Sequence, residues 1–181
     1  MSLPITITSS AAAALLLLTA APAFADEPIT ESHAGLEHNQ IHGVRMDVHA
    51  DLGNYGAFGV GLRGDIPIVA NGIINGVNDE LAISPGVEVF FVNSFPNRYD
   101  GGPYVMPLAM FQWNFYLGDK WSVFPEAGVA LFVGDRNYFP NDRGIYAAVA
   151  TGVGARYHFN DRNALLMRAS WPAGLQVGMT F

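Results

Sequence analysis

Between residues 44 and 181, the acidic and basic side chains of every strand-like segment share one parity, and the opposite parity is apolar. Segment 44–52 sets Val44, Met46, Val48, Ala50 and Leu52 against Arg45, Asp47, His49 and Asp51. Segment 57–66 sets Phe58, Val60, Leu62 and Ile66 against Gly59, Gly61, Arg63 and Asp65. The pattern recurs in 81–92 (inward Glu88), 121–133 (inward Glu126), 145–159 (inward Arg156 and His158) and 164–171 (inward Arg168). Segment 104–116 is apolar on both faces, with Gln112 and Asn114 marking the inner one. A period of two is the signature of strands whose faces meet different surroundings. A soluble sandwich also alternates, but its outward face is the solvated one and carries the charge. Here the single lysine, Lys120, lies in a turn. The charged parity is therefore the enclosed one, and the apolar parity faces outward.

Both ends of the chain bear on where such an object resides. Residues 11–21 form an apolar stretch followed by Ala23-Phe24-Ala25, which reads as a secretory signal peptide over 1–25 with cleavage before Asp26. Residues 26–43 form an acidic, His-containing leader expected to be flexible, and the remaining domain is 44–181. The stretch Leu175-Gln176-Val177-Gly178-Met179-Thr180-Phe181 alternates strictly and places Phe181 in register with the apolar parity. The chain is half apolar, has no cysteine and carries a net charge of −7, so neither a disulfide scaffold nor a nucleic-acid partner is expected. After the leader no apolar run approaches the ~20 residues that a helical span needs.

Eight segments, each roughly ten residues long, fit an all-β, antiparallel up-and-down transmembrane β-barrel. An even strand number puts both termini on one side, with connections 67–80, 117–120 and 160–163 there and 53–56, 93–103, 134–143 and 172–174 opposite. Stretch 67–80 is long for a turn on the terminal side. Trp113, Phe115, Trp121, Tyr157, Phe159 and Phe181 fall near the terminal end of their strands, and Phe91, Tyr104 and Trp171 near the other. Aromatic belts at both interfaces are expected of membrane barrels.

The strand pattern and the terminal Leu175, Val177, Met179 and Phe181 resemble the small eight-stranded outer-membrane barrels typified by the OmpA transmembrane domain and OmpX. The resemblance covers 44–181 and rests on pattern, with no catalytic signature. It implies a bacterial outer-membrane location, a periplasmic leader, outer-membrane lipids as surroundings, and recognition by the barrel-assembly machinery through the C-terminal strand. It also implies a monomer.

The inward set is Arg45, Asp47, His49, Asp51, Arg63, Asp65, Glu88, Glu126, Arg156, His158 and Arg168. An eight-stranded barrel is narrow enough for side chains to fill it, and buried charges must be paired. The expected lumen is thus plugged by an ion-pair network, with a small pore through the same groups as the alternative. Enzymes that modify lipid A exist on this fold, but loose pairings of His49 or His158 with Ser84, Ser122 or Ser170 do not make a catalytic set. A soluble lipocalin-like barrel is a further alternative. No cofactor and no metal is assigned: His38 and His42 have i, i+4 spacing but lie in the leader, where zinc's four-ligand geometry has no support. Gly59-Val60-Gly61-Leu62-Arg63-Gly64 matches a dinucleotide fingerprint, yet Pro67 stands where its helix should run, and Arg63-Gly64-Asp65 lies within the strand pattern.

The reading is therefore a non-enzymatic barrel with a structural or surface-interaction role. Arg98, Tyr99, Asp100, Arg136, Asn137, Tyr138 and Phe139, in the outer connections, are the expected contacts for a surface ligand. Deleting Phe181 is expected to impair outer-membrane insertion, whereas Phe181→Trp is tolerated. The folded fraction in isolated outer membranes measures both, and normal insertion of the deletion variant removes the signal assignment.

Overall fold

The computed structural model describes residues 44–53, 57–70, 74, 77–92, 102–117, 120–134, 144–160 and 163–181. Their backbone forms strands β1 (Arg45–Leu52), β2 (Phe58–Ala70), β3 (Asp79–Val92), β4 (Gly102–Leu117), β5 (Trp121–Val133), β6 (Ile145–His158), β7 (Ala164–Trp171) and β8 (Gly174–Thr180). Each strand pairs antiparallel with its chain neighbours, and β1 pairs with β8, so the sheet closes into a barrel with strand order β1 to β8. Closure removes the unpaired edges that an open sheet would expose. Reciprocal bonds between Met46 and Phe181, Met46 N donating to Phe181 O at 2.8 Å and Phe181 N to Met46 O at 2.9 Å, extend the β1–β8 seam by one further rung.

The expected parity holds. Val48, Leu52, Phe58, Val60, Leu62, Phe111, Val129 and Val149 all lie exposed on the outer surface, Val149 with 69% of its surface open. Leu175, Val177, Met179 and Phe181 continue that surface at 56%, 55%, 40% and 53% exposure. Such a continuous apolar belt is far larger than the patches soluble monomers tolerate. Aromatic rings gather at its terminal rim, where Trp113 lies against Phe115 at 4.8 Å, Trp121 against Tyr157 at 5.1 Å and Tyr157 against Phe159 at 5.5 Å between centroids. At the far rim Phe58 stacks on Phe91 at 5.2 Å, with Trp171 half exposed.

Three sequence expectations are corrected. Stretch 67–80 is not one connection: β2 runs on to Ala70 and β3 starts at Asp79. Pro67 and the apolar run around it disguise a strand end, and the register shifts between Pro67 and Val69, the irregularity that lets proline sit in a paired strand. The earlier start of β3 brings Asp79 onto the outward parity, so that face is not free of charge. Asp79 is fully buried at the terminal rim, where the indole Nε1 of Trp113 donates to its Oδ2 at 2.8 Å. Tyr104 belongs to no outer aromatic belt, because it faces inward and stacks on Phe90 at 5.0 Å.

Leu62 sits midway along β2, paired with Val48 on one side and Val87 on the other. If this belt faces hydrocarbon, Leu62→Arg lowers stability by about 2–4 kcal/mol in lipid vesicles. Urea titration of the refolded barrel measures it, and an unchanged midpoint removes the hydrocarbon assignment.

Candidate functional site in the lumen

Inward-facing side chains divide the lumen into two storeys. Towards the far end Phe90, Met106, Leu108, Met110, Ala130 and Ala150 form a buried apolar cluster, joined by Val92, Tyr104 and Phe132. Towards the terminal end lies the polar storey that the charge pattern predicts. The apolar storey was hidden in segment 104–116, where both parities are greasy, although Met106, Leu108 and Met110 share the parity of Gln112 and Asn114.

The polar storey is one connected set. Arg63 donates through Nε to Glu88 Oε1 at 3.1 Å and through Nη1 to Glu126 Oε1 at 3.2 Å. Arg168 donates through Nη2 to Asp47 Oδ2 at 3.2 Å, with its Nε 3.4 Å from Glu126 Oε2. Gln176 joins the two arginines. Its Oε1 accepts from Arg63 and Arg168 at 3.2 and 3.1 Å, while its Nε2 donates to Asp51 Oδ1 at 2.7 Å and Glu88 Oε1 at 2.9 Å.

One level towards the terminal end, Arg156 pairs with Asp65 and donates to Asn114 Oδ1 at 2.8 Å and Gln112 Oε1 at 2.9 Å. Ser84 donates to the other oxygen of Asp65 at 2.6 Å. The Phe124 ring lies beneath both cations, 4.4 Å from the Arg156 guanidinium carbon and 5.5 Å from that of Arg168. At the terminal rim Arg45 pairs with Glu80 and donates to the Tyr116 hydroxyl at 2.9 Å.

The structure places Arg45, Asp47, His49, Asp51, Arg63, Asp65, Glu88, Glu126, Arg156 and Arg168 of the expected set in the lumen. His158 lies at the terminal rim, its Nε2 2.9 Å from Ser122 Oγ. Sequence reasoning missed Glu80, because it was placed in a connection, and Gln176, whose parity marked it as inward but whose role as a joint has no motif. The expected surface contacts Arg98, Tyr99, Asp100, Arg136, Asn137, Tyr138 and Phe139 lie outside the described residues, as do the signal peptide and the leader.

Burial is close to complete. Arg63, Arg156, Phe90, Phe124, Met106, Met110, Gln112, Gln176, Glu80 and Glu88 are essentially inaccessible to water. A cavity of about 10 Å³ lies where Arg63 and Ser170 meet Met106, Leu108 and Met110, the size of a single water. Among the described residues His49, Asp51 and Glu88 form a metal-compatible cluster.

No protein-family model matches the chain, and no curated protein is significantly similar to it in sequence. Solved structures do match. A de novo designed transmembrane β-barrel aligns over 78% of this chain and 97% of its own at 13% identity, with a TM-score of 0.50. The Yersinia pestis outer membrane protein Ail, determined in a phospholipid bilayer nanodisc, aligns over 77% and 98% at 11% identity with a TM-score of 0.48. The crystal structure of Ail, the attachment invasion locus protein, aligns over 76% and 91% at 9% identity with a TM-score of 0.41. At this identity the likeness concerns fold, that of a closed eight-stranded barrel.

Glu126 serves Arg63 and Arg168 at once. Removing it leaves two buried guanidinium groups short of charge, so Glu126→Ala costs about 3–5 kcal/mol. Denaturant unfolding in micelles reads this directly. A loss below about 1 kcal/mol, the range of exposed pairs, shows the lumen to be solvated.

Proposed function

We propose that this chain is a bacterial outer-membrane β-barrel with a sealed lumen and no catalytic role, acting structurally or through its outer connections. The carrying observation is that large side chains at every level of the lumen, from Glu80 through Gln112, Arg63 and Met110 to Phe90, are inaccessible to water. A water-filled path open at both ends would expose the side chains that line it. The apolar storey supports the same reading, because Phe90, Met106 and Met110 offer an ion nothing in exchange for its hydration shell. The outward belt and its two aromatic rims support a membrane setting, with the terminal rim on the periplasmic side.

Hydroxyl–imidazole geometry suited to acyl chemistry does occur at Ser122 and His158, but at the terminal rim. In this orientation lipid A occupies the opposite leaflet, out of reach. A sealed barrel leaves recognition to the connections at the far end, where Arg98, Tyr99, Asp100, Arg136, Asn137, Tyr138 and Phe139 are the residues to substitute first.

Purified protein added to planar bilayers should give no discrete openings under conditions in which a porin control inserts and conducts. Stable unitary conductance from the purified barrel overturns the sealed-lumen reading. The membrane setting is tested separately by fractionation: release of the mature protein from membranes by carbonate would remove it.

A further inference from the structure

Three buried lumen residues each have one polar atom satisfied and one bare. His49 Nδ1 lies 2.6 Å from Asp47 Oδ1, Asp51 Oδ1 accepts from Gln176 at 2.7 Å, and Glu88 Oε1 accepts from Gln176 and Arg63. The remaining atoms, His49 Nε2, Asp51 Oδ2 and Glu88 Oε2, have no hydrogen-bond partner. One ligand atom from each residue lies within 4.8 Å of the others, and His49 Nε2 is 3.5 Å from Asp51 Oδ1 and from Glu88 Oε1, the oxygens that Gln176 already engages, so that each carboxylate can turn its bare oxygen to an ion while keeping that contact. That spacing is long for a hydrogen bond. It is close to ~3.3 Å, the edge of a tetrahedron drawn with zinc–ligand bonds of about 2.05 Å.

The fold makes room for this grouping. His49, Gly61 and Glu88 stand in one row across β1, β2 and β3, and Asp51 stands beside Gly59 in the same interval. A Cβ on Gly61 would come within 2.2 Å of His49 Nε2, and one on Gly59 within 3.0 Å of Asp51 Oδ2. The strand between the ligands thus contributes no side chain at their level.

Charge points the same way. Within the lumen Asp47, Asp51, Asp65, Glu80, Glu88 and Glu126 face Arg45, Arg63, Arg156 and Arg168. With His49 neutral, as a metal ligand must be, six carboxylates against four guanidinium groups leave two negative charges in a desolvated interior; protonation of His49 would meet one of them and leave the other without a counter-charge. With the Asp47 carboxylate on Nδ1, a neutral His49 imidazole would turn an Nε2 lone pair to the site, the carboxylate–histidine arrangement typical behind a metal ligand. Arg168 in turn steadies Asp47 at 3.2 Å.

We propose that His49, Asp51 and Glu88 bind one divalent transition-metal ion of the zinc type, clamping β1 to β3 across the glycines of β2. One imidazole and two carboxylates suit that class, and its two charges balance the lumen. Three protein ligands leave a fourth position for water.

The test uses the mature chain refolded in micelles with and without metal, since the sealed lumen gives an ion no way in after folding, in a His33→Ala, His38→Ala, His42→Ala background that removes the leader histidines as competitors. Refolding in excess zinc chloride, followed by removal of free ion, should leave one zinc per barrel and raise the urea midpoint above that of protein refolded without metal. Cobalt(II) should give visible d–d bands of a low-coordinate nitrogen–oxygen site. Glu88→Gln and Asp51→Asn, either of which serves if the other fails to fold, should weaken zinc at least tenfold while keeping the heat-shifted gel migration of a folded barrel. His49→Gln should abolish the cobalt bands. The proposal is overturned if folded protein takes up neither ion stoichiometrically, or if uptake is unchanged in the folded lumen variants. Either failure leaves the sealed-barrel reading standing, because conductance is measured independently.

Discussion

The rest of this structure depends on one constraint: eight strands closed on themselves leave an interior no wider than the side chains that point into it. Inward groups cannot be solvated individually, so each must be matched by another inward group. Arg63 and Arg168 meet that demand by sharing Glu126, and Gln176 lets their guanidinium groups approach each other by accepting from both. An amide is suited to this position because it accepts on one side and donates on the other, bridging two cations to Asp51 and Glu88. A carboxylate there would attract the arginines as well but repel the two acids.

The same constraint explains the two storeys. An ion-pair network is stable only while water cannot compete for its members, and the apolar cluster of Phe90, Met106 and Met110 closes it at the far end. Phe124 does related work lower down, filling volume beneath Arg156 and Arg168 with a surface cations tolerate. Outside, the demand is inverted, and the one acidic group among the described outward strand positions, Asp79, is capped by the Trp113 indole at the rim.

Parity made most of this legible, because a strand's period of two assigns a whole segment once one charged residue is placed. The eight strands and the inward set beginning with Arg45 and Asp47 follow from that rule, and the closed topology from the even strand number and the apolar outward face together. It failed where the rule loses its markers. Pro67 and the run Ile66 to Val69 break alternation, which concealed the ends of β2 and β3 and, with them, Glu80 as the partner of Arg45. Tyr104 was misassigned for the opposite reason: in a segment apolar on both faces, an aromatic near a strand end looks like a belt residue until its parity is carried up from Gln112. Contacts between strands far apart in sequence, such as Arg63 with Gln176, have no local signature at all.

The lumen's composition also bears on why its acids outnumber its arginines. A guanidinium group needs the volume of a long side chain, and the interval between His49, Asp51 and Glu88 is bounded by Gly59 and Gly61, where even a Cβ would collide. A fifth arginine would have no space there, whereas a small divalent ion supplies two charges in the volume of one atom. Replacing both Asp51 and Glu88 by amides would correct the sum but remove the two carboxylates that face the imidazole. The glycines, the bare atoms and the excess of acids over arginines are thus three consequences of one arrangement: a row in which β2 stands aside so that β1 and β3 can share a cation.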